Sequence, residues 1–230
     1  MIFSFIGLYG SVLFFYYFFG NTGLYVYSAI AGILSNIEVL IMIKAFGMHQ
    51  TLGNILFATT FLITDILSET AGKKSSQRAV NIGICVSIFF VLLSQSWLLY
   101  IPDAGNIFFP SIKKIFSSTP RLIITSFSVH LIAQTFDVWF YHKIWEWTQK
   151  ISPDKKKYLW LRNNLSTLVS QFINVCLYTF GAFYGVYKLS VLWELILASY
   201  VIFIFTSLLD TPIIYLARKI YFAKQNLSKD

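Results

Sequence analysis

The sequence predicts an all-α fold, a polytopic integral membrane helical bundle of six or seven transmembrane helices. Two features of its 230 residues carry that reading. Composition is the first: 57% of residues are hydrophobic, 19% aromatic and only 12% charged, about half the charge of an ordinary soluble domain. Mean hydropathy is +0.66, which excludes a disordered chain and argues against a soluble enzyme. The second is a succession of apolar segments long enough for roughly 30 Å of hydrocarbon at about 1.5 Å per helical residue.

Taken in order, the first segment is Ile2–Phe19, which carries no charge. It lacks a basic leader and a small-residue cleavage site, so it reads as a retained segment that spans or lies partly at the interface. After Gly20-Asn21-Thr22-Gly23 comes Leu24–Ile43, interrupted only by Glu38. The third, Leu52–Ser68, is the weakest and runs into the polar cluster Glu69–Arg78. The fourth, Ala79–Ile101, is stopped by Pro102-Asp103. The loop 102–120 follows, with an apolar patch at Ile107–Phe109 that predicts a short interfacial helix. The fifth, Leu122–Trp145, contains Asp137; the sixth, Asn163–Tyr187, carries several amides; the seventh, Leu189–Ala217, contains Glu194 and Asp210. No repeat or linker is visible, so residues 1–230 read as one membrane transporter domain.

Lys and Arg set the orientation. With the loop after the third segment inside, thirteen of the eighteen basic residues fall on that side, including Lys73, Lys74, Arg78, Lys155, Arg162, Arg218 and Lys229. Five (Lys44, Lys113, Lys114, Arg121 and Lys188) fall on the other. Seven spans with the N-terminus outside and the C-terminus in the cytoplasm satisfy the count, in a multi-pass protein of the plasma (cell inner) membrane. The net charge of +8 is thereby explained by cytoplasmic loops, without a nucleic-acid partner.

Polar residues at membrane depth are costly and need a partner or a wet cavity. Asp65 and Glu69 stand four apart on one helix face, and Lys73 continues that stripe. They read as a carboxylate pair on a substrate path or as an interfacial salt bridge from Glu69 to Lys73. His130, Gln134, Asp137 and Tyr141 line one face of the fifth segment, as a pocket lining or as interhelical hydrogen bonds. Asn164, Thr167, Gln171 and Asn174 recur at three, four and three on the sixth, with Ser170 beside them. Asp210-Thr211-Pro212 breaks the ladder of the seventh, as a hinge or as a helix boundary. Trp97, Trp145, Trp147 and Trp160 fit interface belts. Carboxylates, amides and aromatic walls together suit a flat heterocycle better than an inorganic ion. Nothing assembles a metal site, a cofactor site or a nucleophile–base pair, and His49, His130 and His142 are scattered, so no enzyme is expected.

The motifs also resemble the queuosine precursor transporter family, known too as the putative vitamin uptake transporters. The resemblance begins at GLYVYSAIAGILSNIEVL from Gly23 and is strongest in TLGNILFATTFLITDILSETAGK, Thr51–Lys73. It continues in VHLIAQTFDVWFYHKI, LWLRNNLSTLVSQFIN and SYVIFIFTSLLDTP. It implies an importer of 7-deazaguanine bases used in tRNA modification, with a small-molecule partner in a lipid bilayer. It carries over Asp65, Glu69, Gln134, Asp137, Arg162, Asn163, Asn164, Gln171 and Asp210 as substrate-path residues. Two positions depart from the family pattern: Asn174 stands where Asp is usual, and Phe203 where Lys is usual. An alternative is the substrate-binding membrane subunit of an energy-coupling-factor-like vitamin importer, for which Gly181 and Gly185 give a small-residue spacing that partners favour. Oligomeric state stays open, a homo-oligomer included.

Overall fold

The computed structural model describes residues 2–45, 48–103, 105–117, 120–152, 154 and 156–227. Lys155 and Lys229 of the charge count lie outside them. Helix α1 (Ile2–Glu38) is broken at Gly20, whose φ of 59° and ψ of −142° are not helical. Ser11 Oγ lies 2.9 Å from Tyr27 Oη, and Tyr27 donates to the Leu8 carbonyl at 3.3 Å. Sixteen residues of straight helix would set Ser11 and Tyr27 about 24 Å apart. The two limbs, 2–19 and 21–38, therefore fold back as an antiparallel hairpin. A Cβ at Gly23 would strike the Phe15 carbonyl, so the return limb needs glycine at its closest approach.

The second limb stops at Glu38, short of the expected Ile43, in a tight turn where Leu40 donates to Ile37 and Ile41 to Glu38. Strands β1 (Met42–Ala45) and β2 (Met48–Thr51) then pair as an antiparallel hairpin, a small departure from an all-helical chain. Helix α2 (Gly53–Ala71) begins against the end of the limb: a Cβ on Gly53 would lie 2.5 Å from the Ser35 carbonyl oxygen. Gly72, at φ 80°, ends α2 and turns the chain into α3 (Lys73–Trp97). The stripe Asp65–Glu69–Lys73 is thus cut at Gly72, and Lys73 is exposed.

The expected interfacial helix falls a few residues later, as α4 (Phe109–Phe116), which buries none of its residues. Its Phe116 ring meets Trp97 at 5.4 Å, and Gln95 donates to the Phe116 carbonyl at 2.8 Å. Helices α5 (Pro120–Ile151), α6 (Leu159–Phe183) and α7 (Leu189–Leu227) complete the bundle. Pro212 lies inside α7, so Asp210 sits within a continuous helix and not at a helix boundary.

Segments Lys73–Trp97, Leu159–Phe183 and Leu189–Ala223 are long and apolar enough to cross a membrane by length and composition. Helix α2 is buried almost throughout and packs against α1, α3, α5 and α7. A helix with protein on every side needs no continuous lipid face. That is why the weakest apolar segment is the central one. Its core is Leu62, Ile63, Ile66 and Leu67, packed with Leu24 and Ala31 of α1 and Ile214 and Ala217 of α7.

Because successive spans alternate in direction, the bundle has a basic end and an opposite end. Glu69, Arg162 and Arg218 meet at the basic end, from α2, α6 and α7. Asn36 and Ser126, at 2.6 Å, mark the opposite end.

Candidate functional site

The polar residues form three levels along the bundle. The first is an ionic lock at the basic end. Arg162 donates through Nε to Glu69 Oε1 and pairs with it again through Nη2. Arg218 Nη1 reaches Glu69 Oε2 at 2.8 Å, and the Tyr141 hydroxyl donates to Oε1 at 2.5 Å. The Glu69 side chain is 0% exposed and that of Arg162 1%. One carboxylate thereby ties α2 to α5, α6 and α7, with charge-assisted bonds that neutralise it. Trp145 lies 4.2 Å from the Arg162 guanidinium and stacks on His142. It is therefore a cation–π partner of a buried arginine, half-buried near the end of α5. Trp97, Trp147 and Trp160 are exposed.

The second level is a buried polar layer about one to two and a half helical turns deeper. Asp65 accepts from the Thr167 hydroxyl at 3.2 Å, and Asp137 from the Ser170 hydroxyl at 2.8 Å. Gln134 donates to Thr60 at 2.6 Å. Asp65 and Asp137 lie within electrostatic reach of each other and of Asp210, which sits beside the Tyr9 phenol of the first limb. None of Asp65, Gln134, Asp137, Gln171 and Asp210 is more than 1% exposed. They point into the protein and away from lipid.

Bond accounting in this layer does not close. Asp65 Oδ1, Asp137 Oδ2, Gln134 Oε1, Asn163 Oδ1 and both Asp210 oxygens are buried with no hydrogen-bond partner, as is Gln171 Nε2. Buried polar atoms are nearly always paired, because an unpaired one forfeits its hydration without return. Six of these seven atoms are acceptors; the Tyr9 hydroxyl stands beside Asp210 and the Ser166 hydroxyl beside Asp137, while Asp65 Oδ1, Gln134 Oε1 and Asn163 Oδ1 have no such neighbour. The layer is short of donors.

The third level is a chamber of about 580 Å³ at the opposite end. A side recess of about 80 Å³ adjoins it, lined by His130, Phe57, Asn54 and Asn174 among others. The chamber walls include Phe90, Phe116, Phe127, Tyr178, Tyr187 and Phe203, and among the described residues no Asp, Glu, Lys or Arg lines it. Its volume matches that of small-molecule sites. Asn174 lines both cavities and donates to Gln171 at 3.3 Å, so the chamber's floor is hydrogen-bonded to the polar layer. Asn174 and Phe203 both line the chamber. Phe203 packs against Ala58, Val175 and Ile196.

Of the eight residues singled out from the sequence, Asp65, Gln134, Asp137, Gln171 and Asp210 share the middle layer. Glu69 belongs to the lock and Asn174 to the chamber. Asn164 stands apart: it donates to Thr211 at 2.7 Å and to the Trp160 carbonyl, and accepts from Ser207 at 3.1 Å. Its amide fastens α6 to α7. The face of α6 that enters the layer runs through Asn163, Ser166, Thr167, Ser170, Gln171 and Asn174, all buried. Spacing alone did not mark Ser166; a helical wheel centred on Thr167 and Ser170 would have found it. The expected small-residue spacing does not form on α6: Gly185 lies beyond the helix end at φ 82° with open space around it, and only Gly181 makes a close approach, where a Cβ would lie 2.5 Å from the Thr125 methyl of α5.

The chain matches the family model described as "Putative vitamin uptake transporter" over residues 51–217, which includes every residue of the polar layer except Tyr9. It is 34% identical over 208 residues to a Bacillus subtilis (strain 168) protein named "Probable queuosine precursor transporter", an alignment covering 90% of this chain and 89% of that one. No solved structure matches it. With a family match over most of its length and a relative aligned almost end to end, the chain belongs to the putative vitamin uptake transporter family.

Proposed function

We propose that this protein is a transporter that imports queuosine precursors, 7-deazaguanine bases, across the plasma (inner) membrane. The B. subtilis relative's name supplies the substrate class. The chamber lies at the end poor in Lys and Arg, which the positive-inside rule assigns to the outside, and the C-terminus is then cytoplasmic. A planar base docks among the aromatic walls of the chamber and passes the floor at Asn174 into the polar layer. There Asp65, Gln134, Asp137, Gln171 and Asp210 take its polar edge. The Glu69 lock closes the inner side until the bundle rearranges.

The observation that carries this reading is the surplus of unpartnered acceptors in the layer. A guanine-type ring offers adjacent N–H donors on one edge, and a carboxylate accepts two of them at once. Uptake of tritiated queuine by cells expressing Asp137→Asn, Gln171→Ala or the parent protein tests it, with membrane abundance measured alongside. Each substitution removes an acceptor or the layer's unpaired donor and is expected to lower uptake at least tenfold at equal abundance. Normal uptake by both variants would reject the assignment.

A further inference from the structure

We infer that the base crosses together with protons, and that the buried polar layer is the proton carrier. The inference rests on the transport reading above and adds its energy source.

It starts from the charges inside the bundle. Asp65 and Glu69 on α2, Asp137 on α5 and Asp210 on α7 are four carboxylates. They face two guanidiniums, Arg162 and Arg218, and both of these pair with Glu69. The other groups facing the layer are the Tyr9 phenol from the first limb and the Tyr141 phenol from α5, which donates to Glu69. From α6 come only the neutral Asn163, Ser166, Thr167, Ser170 and Gln171, besides Arg162. His142 stacks on Trp145 at the level of the lock, and His130 lies against Phe57 near the chamber. If all four carboxylates were ionised, two negative charges would stay uncovered in a fully buried layer. A charge at membrane depth without a counter-charge is strongly disfavoured, so positive equivalents must accompany the acids.

Two further observations say what these are. Gln134 Oε1 and Asn163 Oδ1, both buried, also lack a donor. Asn163 bonds Thr211, the neighbour of Asp210, and stands one turn from Thr167, which bonds Asp65. The layer therefore calls for hydrogen-bond donors beyond those of the chain. A carboxylic acid O–H is such a donor. Among the described residues no three of His, Cys, Asp and Glu converge closely enough to hold a multivalent metal ion. The protons come from the outer medium through the chamber and bind the carboxylates. They leave to the inner medium when the Glu69 lock opens. The base itself is chemically unchanged, and each cycle moves one base and at least one proton inward.

The test uses the full chain purified and reconstituted in liposomes with entrapped pyranine, and queuine as the probe. Exchange of labelled for unlabelled queuine without any ion gradient tests transport alone. With potassium on both sides and valinomycin holding the membrane potential at zero, an inward gradient of one pH unit is then expected to drive accumulation of about tenfold at one proton per base, with interior acidification on adding queuine. The proton-to-base ratio should fall in Asp65→Asn, Asp137→Asn or Asp210→Asn, whatever their rate, and return in the matching Asp→Glu variants. Exchange that proceeds while accumulation ignores the pH gradient, or follows a sodium gradient instead, overturns the inference and leaves the transport reading standing. A pH-driven ratio that none of the three Asn variants changes also overturns it. Absence of exchange removes the transport reading and this inference with it.

Discussion

Replacing Glu69 with alanine should open the basic end of the bundle. In the closed arrangement Glu69 binds Arg162 and Tyr141 through one carboxylate oxygen and Arg218 through the other. Glu69→Ala leaves two guanidiniums side by side, with the Arg162 side chain 1% and the Arg218 side chain 16% exposed. Removing one partner of a buried pair costs about 3–5 kcal/mol, chiefly because the other charge stays buried. Arg218 retains access to water and adds little to that figure. At 1.4 kcal/mol per factor of ten, the closed state loses at least roughly 10²-fold in population against any state in which Arg162 reaches solvent. The assay is labelling of a Ser68→Cys variant, in a background of Cys85→Ser and Cys176→Ser, by a membrane-impermeant maleimide applied to the inner side. Ser68 is 1% exposed and neighbours Glu69, so labelling should be slow in the parent and on the order of 10² faster with Glu69→Ala. Adding Arg162→Met removes the orphaned charge and should restore slow labelling. If Glu69→Ala labels within twofold of the parent in a well-folded sample, the lock does not hold the inner end shut.

Asn164→Ala removes three hydrogen bonds, two of them to α7; at about 0.6 kcal/mol for an average interhelical bond in a membrane protein, it should lower thermal stability by about 1–2 kcal/mol. Queuine binding to the folded fraction, measured by calorimetry, should change less than threefold. Ser199→Trp places an indole in the chamber wall and is expected to abolish uptake while thermal stability and abundance stay at the parent level. Normal uptake would show that the base takes another route.

Much of the architecture was legible because hydrocarbon imposes it. Backbone groups must bond within their own segment in lipid, so apolar runs of sufficient length are helices and their number follows. The hairpin at Gly20 falls in the stretch Gly20–Gly23 that separates the first two apolar runs, whereas the break at Gly72, also at positive φ, was not legible and cuts a stripe read straight through it. The strands 42–51 were not legible: apolar Ile41 to Ile43 continue the preceding run without a stop signal, and the helix ends through a local turn. The site was legible in part. Asp65, Gln134, Asp137, Gln171 and Asp210 stood out because polarity at that depth demands a reason. Spacing could not separate Asn164, whose bonds fasten α7, from Asn163 beside it, whose carbonyl stays unpartnered in the layer.

The sequence by itself determined that the chain is a membrane bundle, which residues are too polar to face lipid, and how basic charge divides between its ends. Tertiary structure alone decided how those polar residues are shared out. Glu69 takes two arginines and a tyrosine, Asn174 takes the chamber floor, and Asp65, Asp137 and Asp210 from α2, α5 and α7 are buried between those two levels. Periodicity fixes a residue's face on its own helix, but which faces meet depends on how whole helices pack against one another. That packing is a property of the bundle and is absent from any single segment.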